Sequence, residues 1–249
     1  MLNKLKIIKS FNASAQHYHS VADIQPRIAQ RLAEYLPEMN AENILEIGCG
    51  TGLFSHYLQR QFPRAQILLT DMAPSMLEIC QKNLAGHPNI QFRQMDGEML
   101  SDTGYFDLIA SSMTLHWFSD IKKSLQHIIS RLAPGGKLIF AILGENSLQE
   151  WRDICSAHHL TTTPEFPCVD YLKSHFPELK TEVEVTQQVY QTTYEFFKTL
   201  KLIGAATPHA AHRTLNPGLL RQLMRTLDNK NLHGINITYE VIYGCYEKS

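Results

Sequence analysis

The sequence predicts an α/β fold built on a parallel sheet covered on both faces. Three observations carry this. Short apolar strands and amphipathic helices alternate five times between residues 44 and 143. The glycine-rich run Gly48-Cys49-Gly50-Thr51-Gly52 joins the first of these strands to a helix. Carboxylates stand at or near the ends of three successive strands, at Glu46, Asp71 and Asp96.

Each element has its own signal. Residues 20–37 read as a helix, with Pro26 in its early turns, Ile28, Leu32 and Leu36 every fourth position, and Pro37 at its end. Ile44-Leu45-Glu46-Ile47 reads as a buried strand. After the glycines, Leu53, Phe54, Tyr57 and Leu58 take helical spacing. Residues 67–70 form a strand and 75–84 a helix, with Ser75 and Glu78 spaced as a capping box. Residues 90–94 and 106–111 are strands. Leu125, Ile128, Ile129 and Leu132 share a helical face. Pro134-Gly135-Gly136 is a turn before a strand over 137–143.

Beyond about residue 146 the pattern changes. Val183, Val185 and Val189 fit a strand, as do residues 237–246, where Tyr239, Val241 and Tyr243 alternate with Glu240 and Ile242. A mostly helical stretch over 194–232 lies between them. It would sit over the ends of the sheet.

Composition narrows the classes. Hydrophobic residues make up 44% of the 249, ordinary for a globular domain. A net charge of -1 makes no demand for nucleic acid or an anionic membrane. No apolar run is long enough to span a bilayer. The basic start, Met1 to Lys9, lacks the apolar stretch and cleavage site of a signal peptide. The five cysteines are dispersed, without a Cys-x-x-Cys pair, which speaks against a disulfide framework or a structural zinc site. A cytoplasmic setting and no metal are the expectations. The twelve histidines have no metalloprotease spacing.

The glycine run lets the backbone turn tightly and lets a ligand approach without meeting a Cβ. Alone it is a weak signal, since dinucleotide enzymes use a near neighbour of it. Glu46 sharpens it. An acidic side chain there suits the cationic amino acid end of S-adenosylmethionine and would repel a pyrophosphate. Asp71 stands where it could take both ribose hydroxyls. Asp96, followed by Gly97 and Glu98, could accept from the adenine amino group.

Residues 40–143 resemble the class I S-adenosylmethionine-dependent methyltransferases. The resemblance rests on Glu46–Gly52, Asp71 with Ser75-Met76-Leu77, Asp96-Gly97-Glu98, Phe106-Asp107-Leu108-Ile109 and Arg131-Leu132-Ala133-Pro134-Gly135-Gly136. It implies a Rossmann-like, seven-stranded, mostly parallel sheet whose last strand is antiparallel, with the helical insertion before that strand. Phe11-Asn12-Ala13-Ser14-Ala15-Gln16-His17-Tyr18 with Ala22 and Gln25, Ser111 to Trp117, Leu200 to Ala205, and Ile237 to Gly244 are similar to the malonyl-acyl carrier protein O-methyltransferases of biotin synthesis. Together these segments span almost the whole chain. The expected organisation is one domain over 1–249, with an N-terminal lid or helix at 1–37, a cofactor core at 40–145 and a substrate-side insertion at 194–232.

The resemblance implies a cofactor site of Tyr18, Gln25, Glu46, Gly48, Cys49, Gly50, Gly52, Asp71, Met72, Met76, Asp96, Gly97, Glu98 and Ser112. Tyr18 and Trp117 are expected to close over the transferred methyl, Tyr18 as part of a lid, and His116 to hydrogen-bond the incoming carboxylate. Because malonyl is anionic, at least one Arg or Lys is expected to meet its carboxyl or thioester region. No general base is expected, because a malonyl carboxylate is already ionised at neutral pH. His116 stands where the family usually has Gln, Thr207-Pro208 where an Asn is common, and Ala73 where a serine is common.

The implied partner is an acyl carrier protein, acidic as a family property. The candidate basic surfaces are Lys122-Lys123, Lys198 with Lys201, and Arg221 with Arg225. Other readings stay open: a methyltransferase of the same fold acting on a free acid, quinone or sugar, an assembly factor that has kept the fold, or an NAD-dependent reductase, which Glu46 disfavours.

Overall fold

The computed structural model describes residues 4–100, 104–161, 163, 165–205, 215–230 and 233–249. Thr207-Pro208 and Met1 to Asn3 lie outside the described residues. The elements in chain order are α1 (Lys4–Ser14), α2 (Tyr18–Val21), α3 (Ile24–Ala33), β1 (Asn43–Ile47), α4 (Ser55–Gln61), β2 (Gln66–Asp71), α5 (Pro74–Asn83), β3 (Ile90–Gln94) and β4 (Phe106–Ser112). They continue with α6 (Ile121–Ser130), β5 (Leu132–Leu143), α7 (Gln149–Ser156), α8 (Val169–His175), β6 (Lys180–Tyr190), α9 (Thr193–Leu202), α10 (Pro217–Asp228) and β7 (Ile235–Glu247).

The seven strands form one sheet in the order β3-β2-β1-β4-β5-β7-β6. The five strands from β3 to β5 in that order run parallel to one another. β7 is antiparallel to both β5 and β6. The chain order reverses direction at β1, so β1 and β4 diverge into loops on opposite sides of one crevice. Open α/β sheets bind ligands at that position.

Side chains alternate across β1, and both faces are buried. Leu45 and Ile47 face a core with Ile109, Phe140, Ile142 and the α6 residues Leu125 and Ile128. Ile44 faces the other core, with Leu69, Leu108, Ala141 and residues of α3, α4 and α10. Glu46 shares the Ile44 face by period, which turns its carboxylate toward α4.

Several boundaries differ from the sequence reading. The helix expected over 20–37 is two helices, broken at Ala22 and Asp23. Pro26 has no N–H to give to the carbonyl of Ala22, so a helix running through from residue 20 is excluded. The second helix stops at Ala33, before Pro37, and three successive three-residue turns follow, closed on the carbonyls of Arg31, Leu32 and Ala33. The Ser75–Glu78 capping box does not form. Pro74 starts the helix one residue earlier, and the free amide of Ser75 is capped from outside by Asn12 Oδ1 at 2.9 Å. Leu132 opens β5 rather than extending α6. Pro134-Gly135-Gly136 lies inside β5, where the pairing jumps from Phe106↔Leu132 to Leu108↔Lys137. No helix among the described residues is long and apolar enough to cross a membrane.

Candidate active site

The loop after β1 is held by its neighbours on both sides. The amides of Gly48 and Cys49 both donate to the carbonyl of Thr70 on β2, at 2.7 and 2.9 Å. Gly48 has φ +72°, and a Cβ there would lie 2.2 Å from Thr114 Oγ1. Only glycine fits, for both reasons. Gly50, at φ +54°, is the opposite case: a Cβ would meet nothing within 4 Å. The loop is open there, toward a cavity of about 1010 Å³.

Asp71 ends β2 and ties the loop to the next turn. Its Oδ2 accepts from Gly50 N at 2.9 Å and its Oδ1 from Ala73 N at 2.8 Å. Burial pushes its carboxyl up, and the amides pull the other way. The Met72 amide bonds the same carboxylate, and three amides leave at least one of its roughly four acceptor positions for a ligand hydroxyl.

Glu46 is 1% exposed. Ser55 Oγ, at the start of α4, donates to its Oε2 at 2.5 Å. No cation of the described residues pairs with it. Burial therefore pushes its carboxyl up to about 8, with the Asp71 charge adding to the rise and the Ser55 hydroxyl opposing it.

After β3, Asp96 Oδ1 accepts from Glu98 N at 3.0 Å, and Glu98 Oε1 accepts from Ser119 N at 2.5 Å. Both carboxylates also hold Lys4 of α1, Asp96 at 2.6 Å. This clasp lays α1 over the cavity, and Ile7, Ile8 and Phe11 form its roof. Phe11 meets Trp117 edge to face at 5.6 Å.

Of the expected cofactor residues, Tyr18, Gln25, Glu46, Gly48, Cys49, Gly50, Asp71, Met72, Met76, Asp96, Gly97, Glu98 and Ser112 line this one cavity, and Trp117 joins them. Gly52 does not. At φ +94° it lies against α5, where a Cβ would come within 3.1 Å of Cys80 Sγ. Its place in the pattern comes from packing the loop on that helix. His116 is also absent from this cavity. It lines an adjoining chamber of about 690 Å³. Tyr18, Gln25, Met113, Trp117 and Phe11 line both spaces and form the partition between them. Tyr18 is half-buried, and burial pushes its phenol up.

The sequence reading expected an N-terminal lid or helix over 1–37 and included Thr51 in the glycine loop, but it did not single out Lys4, Thr114 or the α1 residues of the roof. The roof had a legible signal, since Ile7, Ile8 and Phe11 recur at helical spacing. Thr114 had none, because its contact with Gly48 is purely tertiary. The basic candidates separate. Lys198, Lys201, Arg221 and Arg225 are all exposed on the paired helices α9 and α10. Lys122-Lys123 are on α6, across the sheet, and Lys123 pairs with Asp120 at 3.3 Å.

The cavity fits S-adenosylmethionine on its own evidence. It offers a buried carboxylate without a cation, a buried Thr51 Oγ1 without a partner, and an open backbone cradle at Gly50. A Rossmann-like sheet with its last strand antiparallel, a glycine loop after β1 and acidic side chains after β2 and β3 defines a class I S-adenosylmethionine-dependent methyltransferase. Residues 44–136 match the sequence family described as "Methyltransferase domain". The malonyl-[acyl-carrier protein] O-methyltransferase of Magnetococcus marinus is 36% identical, over 94% of this chain and 90% of that protein. The biotin biosynthesis bifunctional protein BioCD of Bordetella avium is 35% identical over 97% of this chain, which spans 52% of it. Among solved structures, the YcgJ protein of Bacillus subtilis shares the fold at a TM-score of 0.63 and 14% identity, over 89% of this chain and 98% of that one. The chain belongs to the malonyl-[acyl-carrier protein] O-methyltransferase family.

Proposed function

We propose that the protein methylates the free carboxylate of a malonyl group carried as a thioester on acyl carrier protein, giving the methyl ester that primes pimeloyl synthesis for biotin. The observation that carries this, beyond the family, is the apolar chamber next to the cofactor cavity. Its described walls include Leu143, Leu148, Phe166, Leu200 and Ile203, and it shares the Tyr18–Trp117 partition with the cofactor side. A short acyl chain suits such walls, and its far end would reach the partition.

S-adenosylmethionine supplies a methyl group made electrophilic by the sulfonium that bears it. The protein's part is to bind, align and keep out water. Glu46 would hold the cationic amino acid end, Asp71 the ribose hydroxyls, and Asp96 with Glu98 the adenine side. Gly48, Cys49, Gly50, Met72, Met76, Gly97 and Ser112 would shape the walls between them. Tyr18, Gln25 and Trp117 would close the partition around the reacting atoms, and His116 would meet the acceptor. An ionised acceptor needs no proton removed, so no acid–base pair is required. Charges of opposite sign cancel as the bond forms, and a dry site favours that.

The carrier protein would dock against the α9–α10 side, where Lys198, Lys201, Arg221 and Arg225 are exposed beside the chamber residues Leu200 and Ile203. Methyl transfer measured with free malonate, malonyl-CoA and malonyl carrier protein tests the reading. Transfer to the carrier-bound form should be fastest and should weaken as salt rises. Preference for free malonate would overturn it. Restored growth of a biotin-requiring strain lacking this methyltransferase is the matching genetic result.

A further inference from the structure

The acceptor chamber has an unusual charge balance for a site that takes an anion. None of its described lining residues is Lys, Arg, Asp or Glu. Its polar groups are neutral, and two are orphaned: Gln25 Oε1 and His116 Nδ1 are buried without a hydrogen-bond partner. Burial holds the His116 imidazole down to about 3, so it stays uncharged at neutral pH. Across the partition the described lining of the cofactor cavity carries Asp71, Asp96 and Glu98, with Glu46 held mostly protonated by its burial, against Lys4, itself clasped by Asp96 and Glu98. Among the described residues, an acceptor carboxylate therefore faces net negative charge until a cation enters the cofactor cavity.

Resting on the function proposed above, we infer that the acceptor's carboxylate is bound by neutral donors, Gln25 and His116, and takes the methyl donor's own positive charge as its counter-ion. The orphaned groups fit this. A half-turn of the Gln25 amide presents its Nε2 donors, and a neutral imidazole always carries one N–H. The carboxylate satisfies both, and a buried group left without a partner is expensive. A fixed arginine would stabilise the ionised carboxylate in the ground state and lose that pairing as the ester forms, which adds to the barrier. A counter-ion that loses its charge in the reaction holds the substrate and lets the neutral ester go. Opposite charges about 4 Å apart in a partly screened interior attract strongly enough to change affinity by an order of magnitude or more. Acceptor binding is then coupled to the charge of the cofactor, not only to its presence.

The test is a binding cycle on the full chain. Affinities of malonyl and butyryl carrier protein are measured with the cofactor cavity saturated either by neutral S-adenosylhomocysteine or by sinefungin, which carries an ammonium where the methyl donor carries its charge. Butyryl has nearly the shape of malonyl without its charge. Malonyl carrier protein should bind about tenfold or more tighter beside sinefungin, a difference of about 1.4 kcal/mol, and butyryl should differ by less than about twofold. Equal malonyl affinities beside both analogues overturn the inference, because a protein cation must then meet the carboxylate. So does an equal preference shown by butyryl. His116→Leu should raise the KM for malonyl carrier protein about tenfold while cofactor affinity stays unchanged, and an unchanged KM removes His116 from the site. If malonyl carrier protein is methylated and the cycle shows no charge dependence, the inference alone fails. If it is not methylated at all, the proposed function fails and takes the inference with it.

Discussion

Binding of S-adenosylmethionine at pH 7 should expel a proton from Glu46. The carboxyl is pushed from its ordinary 4.5 to about 8 by burial, so at pH 7 it is about 0.9 protonated in the free protein. A ligand ammonium beside it favours the ionised form and draws the proton off. The gap between 4.5 and 8 sets a ceiling of about 5 kcal/mol on what ionising Glu46 costs the free protein. The native state holds a proton there that the unfolded chain releases, so stability should fall as pH rises from about 4.5 to about 8 and level off above. Cofactor affinity should rise through the upper part of that window. Calorimetric titration in two buffers of different ionisation heat counts the protons directly. Wild type should release about 0.9 proton at pH 7 and few at pH 9, while Glu46→Gln releases none and binds about 10- to 100-fold more weakly. The variant also subtracts any proton taken up by the ligand's own amino group, which titrates in the same range. Identical proton counts for wild type and variant would refute the reasoning.

Three further outcomes are expected. Gly48→Ala brings a Cβ into Thr114 at a left-handed φ and should cost about 2–4 kcal/mol, read by calorimetric melting; a melting point within a degree of wild type would contradict the contact. Lys4→Ala should change stability by less than about 1 kcal/mol, because the ion pairs are partly exposed. It should nonetheless speed release of S-adenosylhomocysteine in stopped flow, and an unchanged rate would show that α1 is not clasped through Lys4. Tyr18→Phe keeps most of the partition and should lower turnover modestly, whereas Tyr18→Ala opens it and should lower turnover by about an order of magnitude or more; full turnover and cofactor affinity in both would remove Tyr18 from the site.

The parallel half of the fold was legible because its signals are local. Ile44, Leu45 and Ile47 put apolar side chains on both faces, as a strand buried on both sides requires, with Glu46 the one exception, and the glycines mark the turn that follows. Asp71 and Asp96 were legible as strand-end carboxylates. What they bond to was not. Asp71 was expected to be free for a ligand, yet it also braces Gly50 and Ala73. Asp96 was expected to accept from the adenine amino group and is also found clasped by a lysine 92 positions earlier. Ser75 and Glu78 had the spacing of a cap, but Asn12 supplies it from another helix. His116 and Trp117 came from one resembling segment, which could not tell that Trp117 faces both spaces and His116 only the chamber. In each case the missing information is a contact between residues far apart in the chain, which no window of sequence contains.

The position of β7 has a consequence for how the molecule assembles. It is the last strand in the chain but lies between β5 and β6 in the sheet. β6 has no neighbour to pair with until residues 235–247 exist, and in the interval its backbone is unpaired. Strands β1 to β5, with the glycine loop and its carboxylates, can close by short-range parallel crossovers well before then. The methyl-donor half should therefore fold first, with the acceptor side, whose Tyr239 wall is part of β7, completed by a late insertion. Nascent chains arrested before β7 should already bind the donor while still lacking the chamber.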